Sequence, residues 1–315
     1  MNLKQLLCFG LISLMASYAA LSQDNTCKKT CETVRLKGNV HKVEETTTNL
    51  LQPKPSMAKK ERSVAVRYFN RSGWLEREID YVSNRKCGER TAKYNEKGYK
   101  TEESEYAEGE VVGRCRYHYD TQGQLMREEE WTKRENPTIH SLRKLRYTYC
   151  HTPDSTIIYC FDSSGALRNK SISIHSLHRT IEFLYQTDDS LFTRTEFNNN
   201  ANGKLAKASF YDAHGRLSHQ KFYQYDSLNM LLTSEKRIEI QNEIPISTTN
   251  IRYAYDAKCN LTEIAESNLQ SGITVSFTYR YTYDKAGNWI TSIEKRNDKP
   301  VRLVTRKIQY YRSSK

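Results

Sequence analysis

The feature that most constrains this chain is a short repeat. An aromatic residue is followed by Asp or Asn, two free positions, usually Gly, one free position and then an apolar residue. Clear copies are Tyr119-Asp-Thr-Gln-Gly-Gln-Leu125, Tyr211-Asp-Ala-His-Gly-Arg-Leu217 and Tyr283-Asp-Lys-Ala-Gly-Asn-Trp289. The Asp or Asn falls at 70, 95, 120, 162, 212, 226, 256 and 284, and weaker copies stand at Tyr106–Gly109, Tyr185–Leu191 and Asn200–Leu205. Repetition of this kind means one supersecondary unit used many times, each copy needing its neighbours to bury its apolar side.

The residue types identify the unit. Before the Asp, side chains alternate with period two: Val275, Phe277, Tyr279, Tyr281 and Tyr283 fall on one face, and Thr274, Ser276, Thr278, Arg280 and Thr282 on the other. Cys115, Tyr117 and Tyr119 repeat the pattern, as do Ile251, Tyr253 and Tyr255. Such alternation predicts half-buried strands. Asp at the first turn position accepts a hydrogen bond from the backbone two residues on. Gly three residues after it tolerates the positive φ that lets the chain reverse. Each copy is therefore a hairpin corner. No segment holds an apolar helical stripe over three turns, and Glu128-Glu-Glu130, which suits a helix, directly follows a corner.

Composition agrees with half-buried strands. The chain has 315 residues with 22 Tyr, 9 Phe and 3 Trp, and a mean hydropathy of −0.79. That aromatic content excludes a disordered chain. The charge of +12 points to acidic partners without naming them.

At the N-terminus, Lys4 precedes an almost wholly apolar segment from Leu6 to Leu21, and Ala20-Leu-Ser22 ends it with small residues. This reads as a secretory signal over 1–22, followed by a polar lead-in over 23–33 and one repeat domain over 34–312. Export would place the protein in the periplasm, at the outer membrane or outside the cell. Beyond the leader no apolar run reaches the length of a membrane span. Seven cysteines remain after Cys8, namely Cys27, Cys31, Cys87, Cys115, Cys150, Cys160 and Cys259. Export permits disulfides, and the odd count leaves at least one thiol free or intermolecular.

The Tyr-Asp-x-x-Gly-x-Leu corners resemble the YD repeats of bacterial RHS-type proteins, and Leu36–Glu45 is similar to the first strand of small secreted YD-repeat proteins. The resemblance covers roughly residues 34 to 311. It implies antiparallel hairpins that coil into a spiral or solenoid-like twisted sheet, which in large toxin members closes into a shell around cargo. Here the chain ends soon after the last corner, with Trp289–Lys295 and Val301–Tyr311 reading as a final hairpin around Asn297-Asp298. The toxin-releasing core of the large members is absent. Two stretches break the repeat: residues 131 to 146, with Asn136-Pro137, and the region of Ile244-Pro245. Such interruptions predict long loops that carry binding surface.

Nothing in the sequence singles out a reaction centre. Phosphate-binding, dinucleotide, serine-hydrolase and zinc-protease motifs are missing, and no catalytic residue, metal ligand or cofactor is assigned. His175 and His178 lie three apart, on opposite faces of a strand. His214 and His219 flank one corner. With 37 Asp and Glu, a pair of acids for glycoside hydrolysis is possible but unmarked. Asp154-Ser-Thr156, Asp189-Ser-Leu191 and Asp226-Ser-Leu228 resemble O-glycosylation acceptors of some Gram-negative envelope proteins. Basic residues at 54–62 and 131–146 favour anionic glycans or lipid head groups over nucleic acid, given the exported address. Trp74 and Trp289 occupy structural positions of the repeat. Trp131 is the one candidate ligand-binding residue. The expected function is a non-catalytic binding or interaction scaffold at a Gram-negative envelope, with a glycan or envelope protein as ligand. A glycan-active enzyme and an accessory shell for a toxin or partner protein are the alternatives.

Overall fold

A computed structural model of the protein describes residues 36–51, 62–136, 139–228 and 230–312. The leader, the polar lead-in, Cys27 and Cys31 lie outside these residues, as does most of the basic stretch 54–62. Twenty antiparallel strands follow one another. The first are β1 (Val40–Asn49), β2 (Arg62–Phe69), β3 (Leu75–Val82), β4 (Arg85–Tyr94), β5 (Lys100–Ala107), β6 (Glu110–Tyr119) and β7 (Leu125–Asn136). Next come β8 (Ile139–His151), β9 (Ser155–Phe161), β10 (Leu167–His175), β11 (Arg179–Tyr185), β12 (Leu191–Asn199), β13 (Leu205–Tyr211) and β14 (Leu217–Tyr225). The last are β15 (Leu232–Gln241), β16 (Ile244–Tyr255), β17 (Leu261–Asn268), β18 (Thr274–Tyr283), β19 (Trp289–Arg296) and β20 (Lys299–Tyr310).

Each strand pairs with the one before and the one after it, and β20 pairs with β1 from Asn49↔Arg302 to Val40↔Tyr310. The sheet is thus a closed up-and-down barrel, not the open spiral or solenoid-like sheet expected from the repeats. The physical reason is that a hairpin repeat specifies only sequential neighbours. Closure depends on the two terminal strands, whose free N–H and C=O groups would otherwise form exposed edges. The two interruptions are also corrected: residues 131 to 146 extend the β7–β8 hairpin, and Ile244-Pro245 starts β16 after a two-residue turn at Asn242-Glu243. They lengthen strands instead of forming loops.

The eight corners read from the sequence all lie at hairpin turns. In the corner of Asp120, one carboxylate oxygen accepts from the Gln122 N–H at 2.9 Å and the Gln124 N–H at 2.8 Å. Asn70, Asp162, Asp212 and Asp256 repeat this double bond. The bond to the fourth residue fixes the outgoing strand as well as the turn. Gly123 donates to the Asp120 carbonyl with φ of 88°. In the Asp256 corner Cys259 takes the Gly place at φ 64°.

Turns after even-numbered strands lie at one rim, and turns after odd-numbered strands lie at the other. Six of the eight corners, at 70, 95, 120, 226, 256 and 284, share the first rim, which also receives the end of β20. Here the aromatic positions serve as lateral ties. The Tyr94 hydroxyl donates to the Leu75 carbonyl at 2.8 Å, and Tyr119 to Lys100 at 2.8 Å. His151 Nε2 lies 2.8 Å from the Leu125 carbonyl, which makes it the protonated nitrogen. Tyr225, Tyr255 and Tyr281 tie to Leu205, Leu232 and Leu261. Tyr311 completes the circuit with a 2.7 Å bond to the Phe69 carbonyl. The buried apolar cluster of Leu36, Val40, Val43 and Phe69 sits at this rim, across the closure.

Two corner glycines, Gly98 and Gly165, differ in what they face. A Cβ at Gly98 would lie 2.3 Å from Trp74 Cζ2, whereas one at Gly165 would meet nothing within 4 Å. Both have positive φ. Gly165→Ala should lower unfolding stability by about 1 kcal/mol from backbone strain. Gly98→Ala should cost roughly 2 kcal/mol more, because Trp74 must move. Denaturant unfolding of both variants measures the difference. Tyr311→Phe should cost about 1 kcal/mol by removing one tie at the closure, and the same assay reads it.

Candidate binding face

Cross-strand partners share a face, so the ladder registers assign every side chain to one of two sides of the wall. One side is shielded: Glu78, Glu45 and Arg306 side chains are 6%, 19% and 12% exposed. The other is open, with Lys93 at 73% and Lys307 at 84%. Curvature crowds the concave side of a closed sheet, so the shielded face is the inner one.

Twenty strands enclose more width than one wall's side chains can fill, and the inner face is accordingly polar. A charge ladder crosses the closure seam: Arg306 to Glu45 at 2.8 Å, Glu45 to Arg67 at 3.7 Å, Arg67 to Glu78 at 2.6 Å and Glu78 to Arg90 at 3.1 Å. Farther round, Glu128 accepts from Tyr149 at 3.0 Å and from Cys115 at 3.2 Å. Desolvation pushes the Glu128 carboxyl above its usual range. Glu182, between Ser173 of β10 and Thr195 of β12, has a buried carboxylate oxygen without a hydrogen-bond partner. Burial pushes its pKa up to about 7. The folded state therefore holds a proton that the unfolded chain has released between about pH 4.3 and 7, so this group lowers stability as pH rises through that window. Glu182→Gln should be more stable than the parent at pH 8, by up to roughly 3 kcal/mol. The two should converge near pH 4, as followed by urea unfolding against pH.

Charges such as Arg77, Glu89, Glu102, Arg116 and Arg194 occupy outward positions on β3 to β6 and β12. With charged ladders inside and charges at mid-strand outside, neither face carries the continuous apolar band of a lipid-facing barrel. Among the described residues, no helix is long and apolar enough to cross a membrane.

The outer face changes character from β7 to β14, and the corners are the reason. The corners at 162 and 212 lie at the second rim, where the weaker copy at Tyr185–Leu191 also falls. To progress the same way around the barrel from the opposite rim, an identical hairpin must be turned over, which exchanges its two faces. The aromatic residue before the turn, inward at the first rim, points outward here as Phe161, Tyr185 and Tyr211. Each is the direct cross-strand partner of a cation: Arg146↔Phe161, Lys170↔Tyr185 and Arg194↔Tyr211. The cations lie over the rings at 4.9, 4.9 and 3.9 Å from the centroids. Lys207 lies 5.4 Å over Phe222 in the next pair. Lys170 is also opposite Tyr159, and Arg194 opposite Phe183, so these two cations each stand between two aromatic rings, whereas Arg146 has Glu129 and Lys207 has Asn198 on the other side. Cation–π contact of this kind orients the charge while leaving its outer hydrogens open.

Trp131 belongs to the same face. It stands on β7 between Arg114 of β6 and Lys144 of β8 and is half-buried. The cation–aromatic pairs could not be read from the sequence, because Lys170 and Tyr185 are joined only by register. The other sequence candidates scatter. His175 ends β10 and His178 lies in the following turn. His214 and His219 line one open cleft of about 620 Å³ at the second rim, together with Arg194, Phe192 and Tyr211. His219 is stacked on Phe210, with centroids 4.0 Å apart. Trp74 is held against Tyr94 and Gly98, and Trp289 lies under Arg306 at 3.3 Å. Among the described residues, Cys87, Cys115, Cys150, Cys160 and Cys259 are not joined in disulfides. No group of three metal-ligating side chains converges among the described residues.

No family model matches the chain, and no curated protein matches its sequence. Among solved structures, a porin-like protein of Bacteroides uniformis is 10% identical with a TM-score of 0.34, covering 87% of this chain and 99% of its own. A protein of unknown function from Bacteroides fragilis is 11% identical, with a TM-score of 0.27 and coverage of 42% and 94%. The TcdB2–TccC3–Cdc42 complex contains a chain 12% identical, with a TM-score of 0.21; the match spans 82% of this chain and 19% of that one. Similarities this remote assign neither a family nor a function.

Proposed function

We propose that this chain is a non-catalytic binding scaffold of the bacterial envelope, related to the secreted YD-repeat proteins, and that its ligand-contacting surface is the outer face of β7 to β14. The observation that supports this reading is the phase change of the repeat. Elsewhere the corner aromatics are consumed in tying the rim, whereas Phe161, Tyr185 and Tyr211 are turned outward beside Arg146, Lys170 and Arg194. The leader-like N-terminus agrees with an exported protein. A rigid sheet that presents flat rings and oriented cations loses little side-chain freedom on binding, which favours recognition over catalysis.

Purified envelope polysaccharides and envelope proteins, tested separately on the immobilised protein, should include a ligand that is retained without chemical change. Tyr185→Leu and Tyr211→Leu together should weaken that retention about tenfold or more, the scale of losing two aromatic contacts, without lowering unfolding stability below the working range. Release of new reducing ends from a retained glycan would instead establish the enzymatic alternative. Retention unchanged in the double variant would remove this face from the function.

A further inference from the structure

We infer that the ligand of the outer face is an acidic polysaccharide that runs across the strands, around the barrel, with its carboxylates or sulfates on Arg146, Lys170 and Arg194. This rests on the scaffold reading and adds the chemistry of the ligand. The three cations stand on β8, β10 and β12, alternate strands of a continuous ladder. Neighbouring strands are about 4.8 Å apart, so successive cation columns are separated by about 10 Å. A linear glycan with one acid on every second ring presents charges periodically and leaves uncharged ring edges for the intervening columns of Tyr159 and Phe161, then Phe183 and Tyr185.

The face has a net positive balance. Its outward cations on β8 to β13 include Lys144, Arg146, Arg168, Arg179 and Lys207 besides Lys170 and Arg194. The acids in contact with this face include Asp162, Asp189, Glu196 and, opposite Arg146 on β7, Glu129, which also pairs with Arg127. Lys170 shares a 2.7 Å contact with Asp189, which is 70% exposed, and Arg194 lies 3.4 Å from Glu196. Arg146 lies over Phe161. The exposed Asp189 holds Lys170 only weakly and can give way to an incoming acid, whereas Arg194 and Glu196 are more shielded, at 32% and 15% exposed.

Single-stranded nucleic acid is the competing polyanion, and the geometry disfavours it. Its sequence-tolerant binding depends on bases stacking on open aromatic faces. Here the Tyr185 and Tyr211 rings already carry Lys170 and Arg194 over their faces. A ligand that needs the cations, and only the edges of the rings, fits what is exposed.

The test uses the exported protein with four probes: polygalacturonate, heparin, neutral dextran and oligo-dT. Polygalacturonate or heparin should bind and neutral dextran should not. Raising ionic strength from about 0.05 to 0.5 M should weaken binding at least tenfold, as screening shortens the electrostatic range. R146Q/K170Q/R194Q should lose roughly a hundredfold in affinity, about a few-fold to tenfold for each charge. K42Q/K307Q, on the outer face away from this region, should bind as the parent does. Should the triple variant fail to fold, K170Q alone must still weaken binding about fivefold or more. Equal affinity of parent and charge variants, or tighter binding of oligo-dT than of either acidic glycan, would overturn the inference. A neutral-glycan or protein ligand lost in the Tyr185→Leu, Tyr211→Leu variant would overturn the charge assignment while leaving the scaffold standing. If neither the four probes nor the envelope components bind, both readings fall.

Discussion

The pairing of β20 with β1 is the contact on which the rest of the structure depends. It gives both terminal strands a second neighbour and removes the only free edges a sequential meander would have. It also creates an inside. The ladder from Arg306 through Glu45, Arg67 and Glu78 to Arg90 crosses this seam, so ionic contacts and backbone bonds close it together. Shielding strengthens these contacts relative to a surface pair, although each charge also loses hydration. The apolar cluster at the first rim and the Tyr311 tie to Phe69 hold the same seam at its end.

A barrel this wide is not stabilised through a single packed core. Among the described residues, buried apolar side chains are few: one cluster of Leu36, Val40, Val43 and Phe69 sits at the closure, others such as Leu145, Phe197 and Ile251 are spread along the wall, and most tyrosines are half-buried. Cohesion is distributed instead over the ladder bonds, the Asx bonds of the corners and the hydroxyl ties between adjacent corners. The result is a quasi-one-dimensional chain of equal units bent into a circle, so local damage at one corner should remain local. Damage at the seam should not, because it releases two edges at once.

Much of this was legible in the sequence for a physical reason: the corner is local. Asp120 and Gly123 are three residues apart, and their roles follow from side-chain reach and from allowed φ. The inward placement of Tyr279, Tyr281, Tyr117 and Tyr253 follows from period-two alternation. The final hairpin around Asn297-Asp298 was readable on the same grounds, and both residues take positive φ. Trp131 could be singled out as a candidate because it sits outside any corner. The ties from Tyr94 to Leu75 and from Tyr255 to Leu232 could not be read, since each joins opposite ends of a two-strand hairpin, 19 and 23 residues apart in the chain.

The sequence by itself determined the unit: a strand, an Asx corner and another strand, repeated with the same chemistry, because every bond in that unit closes within a few residues. It also determined that the strands leading into the corners would carry their aromatic residues on one face. Only the tertiary structure decided whether the units spiral open or close, because that rests on two strands separated by nearly the whole chain. Only closure decided which rim each corner occupies, and hence whether its aromatic residue points in or out. A hairpin inverted end for end shows its other face, so the same motif builds the rim at Tyr94 and Tyr255 and the outer binding face at Phe161, Tyr185 and Tyr211.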